Sequence, residues 1–71
     1  PYRRAGVATA LMNWLEKTCA TAGVRCIKLE VRIANLIARR FYERRGYDIL
    51  GQIPEYYDNR ETALVFSKKT V

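Results

Sequence analysis

A chain of 71 residues, 49% hydrophobic and 28% charged, is one small domain or part of one, and that balance excludes a disordered segment. Histidine is absent, which excludes a Ser-His or Cys-His nucleophile and leaves proton transfer to Glu, Asp, Tyr, Lys or Cys. The net charge of +6, from nine arginines and four lysines, fits an anionic cofactor, a nucleic acid or an ordinary solvated surface.

The first predicted element is a helix from about Gly6 to Ala20, stopped at Gly23. Val7, Leu11, Trp14, Leu15 and Thr18 recur at helical spacing and should form its buried face. Residues Arg25 to Arg32 then alternate, with Ile27, Leu29 and Val31 on one face and Cys26, Lys28, Glu30 and Arg32 on the other. That period of two, in a β-branched run, predicts a strand. Asn35 is a good N-cap for a second helix ending near Arg45, with Gly46 as its stop. A second strand should run from Tyr47 to Ile53, ended by Pro54. The loop from Glu55 to Thr62 carries tyrosines, and Ala63 to Lys68 should form a third strand.

The order helix-strand-helix-strand-strand predicts an α/β fold (α+β, mixed sheet) with helices covering the sheet. Cys19 and Cys26 make neither a Cys-x-x-Cys pair nor a zinc set, so no metal site is expected. Both are read as small buried hydrophobes in a reducing, cytoplasmic setting. No apolar run approaches the roughly 20 residues of a membrane span, and no stretch reads as a secretory leader.

Three sets of residues could carry chemistry. The run Arg3-Arg4-Ala5-Gly6-Val7-Ala8-Thr9 opens the first helix, where unpaired N–H groups and the helix dipole attract anions. Gly6 lets a ligand approach the backbone, and the paired arginines suit phosphate oxygens. The run therefore reads as a pyrophosphate cradle, or as an ordinary helix start with solvated arginines. Glu30 suits a general base if its strand face is covered; beside Lys28 and Arg32 it also reads as a solvated glutamate. Asn35 and Tyr42, seven residues apart, share a helix face and could line an extended ligand, although Phe41-Tyr42 equally reads as a core aromatic pair. Tyr56 and Tyr57 are a recognition element or a packing pair.

Together these residues resemble the C-terminal half of the GNAT N-acetyltransferases, which use acetyl-coenzyme A. The pyrophosphate motif Gln/Arg-x-x-Gly-x-Gly/Ala matches Arg3-Arg4-Ala5-Gly6-Val7-Ala8. Leu29-Glu30-Val31-Arg32, then Asn35, Ala38, Phe41-Tyr42-Glu43 and Gly46-Tyr47, are similar to the family's second run. Glu55-Tyr56-Tyr57 and Ala63-Leu64 resemble the tail of the subgroup that acetylates the N-terminal alanine of a ribosomal protein.

The resemblance implies acetyl transfer to a primary amine, such as a protein N-terminal α-amino group. It places the coenzyme pyrophosphate on the backbone of Arg4 to Thr9 and the pantetheine arm on Asn35. Glu30 would take a proton from the amine, and Tyr42 would donate one to the departing thiolate. Tyr56 and Tyr57 would hold the amine substrate, and Asp58-Asn59-Arg60-Glu61-Thr62 replaces the subgroup's glycine-containing acidic turn. The family's N-terminal half is missing, so residues 1–71 are expected to be a partial domain and inactive alone. A non-catalytic coenzyme-binding or assembly module is the alternative. A nucleic-acid-binding domain ranks last, because the aromatics fall mostly at apolar positions. With a strand edge left bare, the isolated chain is expected to be a homo-oligomer.

Overall fold

The computed structural model describes residues 4–70. They form α1 (Arg4–Thr21), β1 (Cys26–Arg32), α2 (Leu36–Arg44), β2 (Asp48–Ile53) and β3 (Ala63–Lys69). The expected order holds, with boundaries moved by one or two residues. The chain divides into two compact units, one holding α1 with the residues through Ile27 and from Lys69, the other Lys28–Lys68.

Both helices end on glycine for the same reason. Gly23 and Gly46 have φ of +83° and +90°, where a Cβ would be strained. Each allows the two bonds that close a helix C-terminus: Val24 N–H to the Cys19 carbonyl and Gly23 N–H to Ala20, then Tyr47 N–H to Tyr42 and Gly46 N–H to Glu43. At its other end α2 is capped by Asn35, whose Oδ1 accepts from the Ala38 N–H at 3.1 Å.

The strand order is β1-β3-β2. The Ile33 N–H bonds to the Thr62 carbonyl and the Thr70 N–H to that of Arg25, so β3 runs antiparallel to β1. It is antiparallel to β2 as well, with Asp48 opposite Ser67 and Ile53 opposite Ala63. β1 and β2, joined through α2, therefore point the same way, and the last strand slots between them. A bulge between Ile49 and Gly51 sets Leu50 outside the register.

The central position of β3 shows in its burial: Ala63, Leu64 and Phe66 are all buried, and Phe66 is 0% exposed. Val31 and Tyr47 complete the core of this unit. β1 alternates as expected, with Cys26, Lys28, Glu30 and Arg32 exposed. Cys26 is thus an exposed thiol and not the buried hydrophobe expected of it.

The inward face of α1 also differs from expectation. Val7, Leu11 and Trp14 are exposed, Trp14 at 62%, and Thr18 is exposed too. The covered stripe is Ala8, Met12, Leu15 and Cys19, with Met12 buried and the others half-buried. That stripe has the same helical spacing, displaced around the helix by about one residue, or roughly 100°. No described helix is long and apolar enough to cross a membrane.

Candidate functional site

At the start of α1 the sequence-predicted cradle is described from Arg4 onward, and Arg3 lies outside the described residues. With α1 described from Arg4, the N–H groups of its first turn have no intrahelical acceptor among the described residues, while those of Ala8 and Thr9 fall within the ladder. Gly6 is exposed, and a Cβ built on it would meet nothing within 4 Å. Neither packing nor backbone conformation demands glycine there, although glycine costs an exposed helix about 1 kcal/mol relative to alanine. The open surface over Gly6 fits a ligand that approaches the backbone closely.

The other candidates lie in the second unit. Asn35 commits its Oδ1 to capping α2. The Tyr42 ring sits half-buried among aromatic rings, edge-on to Phe41 at 5.1 Å and Tyr47 at 5.4 Å, and 6.1 Å from Phe66. This packing fixes where its hydroxyl can lie. The N-terminal turn of α2 is braced by Arg39, which donates from Nη1 to the Ile33 carbonyl at 2.9 Å.

Glu30, on the exposed face of β1, accepts a hydrogen bond from the Tyr56 hydroxyl at 3.1 Å. The structure thereby joins the proposed base to the tyrosine loop. The bond stabilises the protonated phenol, so Glu30 raises the Tyr56 pKa above the ordinary tyrosine value. The Tyr56 and Tyr57 rings meet edge-to-face at 5.1 Å, forming a single aromatic element.

A cluster that sequence reasoning missed holds this element down. Arg32, one pleat beyond Glu30, pairs with Glu61 at 3.1 Å and donates to Asn59 Oδ1 at 3.5 Å. Its guanidinium lies 4.0 Å over the Tyr57 ring. The other Glu61 oxygen accepts from the Ala34 N–H at 3.1 Å. Arg32, with the Ala34 amide, holds the Glu61 carboxyl below the usual carboxylate range. Glu55 and Arg60 flank the tyrosines at φ of 54° and 63°, a strained region for side-chain-bearing residues. The opposed charges of Arg32 and Glu61 were visible in the sequence, but no local pattern pairs residues 29 apart.

The chain is similar to known proteins in sequence and in fold. Residues 1–47 match the sequence profile of the Acetyltransferase (GNAT) family. An uncharacterized N-acetyltransferase of Methanocaldococcus jannaschii is 43% identical over 68 residues, which are 94% of this chain and 44% of that protein. The ribosomal-protein-S18-alanine N-acetyltransferase from Escherichia coli superposes with a TM-score of 0.85 at 30% identity, over 97% of this chain and 46% of that one. Arabidopsis thaliana NAA60, solved in complex with acetyl-CoA, gives 0.86 at 27% identity, over 96% and 41% respectively. A β-α-β unit with the third strand inserted between its strands is the fold shared with these acetyltransferases. The chain belongs to the GNAT acetyltransferase family. It spans less than half the length of these relatives.

Proposed function

We propose that this chain is the coenzyme-binding and proton-transfer half of an N-acetyltransferase that acetylates an α-amino group at a protein N-terminus. Acetyl-coenzyme A supplies the activated acetyl group. The chain's own residues bind, orient and move protons. The first-turn N–H groups of α1 receive the pyrophosphate across the open face of Gly6, with Arg3 and Arg4 adding charge, and Asn35 contacts the pantetheine arm. Glu30 takes a proton from the incoming ammonium, directly or through water, because an amine must be neutral to attack a carbonyl. Tyr42 donates a hydrogen bond and then a proton to the departing sulfur. Tyr56, bonded to Glu30, and the adjoining Tyr57 hold the acceptor. The subgroup that acetylates ribosomal N-terminal alanine is the favoured model for that acceptor, supported by the likeness to the Escherichia coli enzyme. The thiols of Cys19 and Cys26, not joined in a disulfide, suit a reducing, cytoplasmic setting.

The observation that carries the cofactor reading is Gly6, an exposed helix glycine that the chain itself does not need. Coenzyme A at 100 times its dissociation constant should stabilise the protein by about 2.7 kcal/mol, a rise in melting temperature on the order of ten degrees. Gly6→Glu should abolish that rise by placing an anion where phosphate sits. The substitution introduces a better helix former with favourable charge at a helix start, so the ligand-free melting temperature should hold or increase. A coenzyme shift that survives in the variant would sink the assignment.

Taken by itself, the 71-residue chain is expected to self-associate. Its apolar Val7, Leu11, Trp14, Leu36 and Ile37 are exposed, Ile37 at 85%, and among the described residues the outer edges of β1 and β2 are unpaired. Such surfaces recruit a second copy. Sedimentation equilibrium at micromolar concentration should return a dimer or larger, without acetyl transfer; a stable 8.2 kDa monomer contradicts this.

A further inference from the structure

The tyrosine loop is the only part of the proposed acceptor site with no strand or helix of its own to place it. Its backbone closes on itself, since Tyr56 and Tyr57 N–H both bond to the Glu61 carbonyl and Arg60 N–H bonds to that of Tyr57. Self-closure fixes the loop's shape but not its position over Glu30. Position comes from contacts that leave the loop. Among the described side-chain contacts, three converge on Arg32: its ion pair with Glu61, its bond to Asn59 Oδ1 and its stack on Tyr57. Another is the Tyr56–Glu30 bond itself. Glu61 reinforces the first by holding Ala34 N–H, so one carboxylate pins the loop both to the end of β1 and to the approach of α2.

We propose that Arg32 is a positioning residue for the acceptor site, clasping Glu61 and Tyr57 so that Tyr56 is held against Glu30 at the place the substrate amine enters. The proposal rests on the acceptor reading above and extends it to a residue with no direct part in the chemistry. Arginine is needed in this role because a planar guanidinium can stack on a ring and pair with a carboxylate at once. Lysine keeps the charge and loses the stack. The pair is exposed, with Arg32 side chain at 47%, so its substitution should leave the fold intact.

The test uses the acetyltransferase that carries this chain, an acceptor peptide with a free α-amine, and NMR titration of tyrosines labelled at the phenolic carbon. In the unaltered protein Tyr56 titrates above an ordinary tyrosine, and in Glu30→Gln it falls back. Arg32→Gln and Glu61→Gln should each lower the Tyr56 titration toward the Glu30→Gln value, because the loop no longer holds the phenol in place. Both should raise the peptide KM about tenfold while kcat and coenzyme affinity stay within about threefold, the mark of lost substrate placement. Arg32→Lys should recover part of that loss, and exchanging the charges (Arg32→Glu with Glu61→Arg) should recover more than either single reversal. An unchanged Tyr56 titration in Arg32→Gln and Glu61→Gln overturns the clasp whatever the acceptor is. If Tyr56→Phe raises the peptide KM and Arg32→Gln does not, the clasp is also wrong while the acceptor site stands. If the titration moves but neither Arg32→Gln nor Tyr56→Phe alters the peptide KM, the acceptor reading fails and takes the positioning role with it.

Discussion

Tyr42→Phe in the enzyme carrying this chain is expected to lower kcat about 100-fold or more with little change in coenzyme affinity, because a positioned general acid contributes on that order. The substitution is a clean one in this structure. Tyr42 is held through its ring, by Phe41, Tyr47 and Phe66, and phenylalanine keeps every one of those contacts. Stability should therefore change by less than about 1 kcal/mol, as for a volume-conserving exchange. A fall in turnover could not then be ascribed to unfolding. Steady-state acetylation at saturating peptide, beside calorimetric titration with coenzyme A, separates the two quantities. Glu30→Gln gives the complementary signature, a rate lost most at lower pH, where amine deprotonation limits. Near-normal turnover in Tyr42→Phe would remove the phenol from the reaction.

Phe66→Ala should abolish cooperative folding of the chain. Phe66 is fully buried on the central strand, opposite Ile49 in the β2 ladder and within ring contact of Tyr42. Emptying such a site costs about 3–5 kcal/mol. A domain of this size has a small margin, since total stabilities run from about 5 kcal/mol upward and short chains lie at the low end. Phe66→Leu, which keeps most of the volume, should cost far less and still melt cooperatively. Thermal unfolding followed by circular dichroism distinguishes them, and an alanine variant melting within a few degrees of the parent would show that the core does not turn on this ring.

Much of this architecture was legible locally. Glycine at positions 23 and 46 marks helix ends because left-handed backbone is cheap only there, and both positions have it. The alternation of Ile27, Leu29 and Val31 against Lys28, Glu30 and Arg32 located β1 and its exposed face. The inward side of α1 was misread for a definite reason. Apolar residues occupy neighbouring stripes of that helix, Val7-Leu11-Trp14 and Ala8-Met12-Leu15, and periodicity cannot say which one finds a partner. Helical spacing alone singled out the stripe with tryptophan, and the structure covers the one with methionine. In the site, single residues were legible and their partnerships were not. Glu30 and Tyr56 are 26 residues apart, and Arg32 and Glu61 29. Both pairs exist only because β3 returns beside β1, a register that no local pattern encodes.

The insertion of β3 between β1 and β2 also governs when the sheet can exist. The two outer strands are separated by the width of a strand and share no ladder, so neither can template the other as the ribosome extrudes the chain. β3 is the last of the three to be made. Until it emerges, β1 and β2, tethered by α2, have no strand of this chain between them to join them, and the joining step relies on contacts distant in sequence, the kind that form slowly. The Glu30–Tyr56 bond and the Arg32 clasp cannot precede that step. These cross-strand contacts are thus made only after β3 is synthesised, later than either helix.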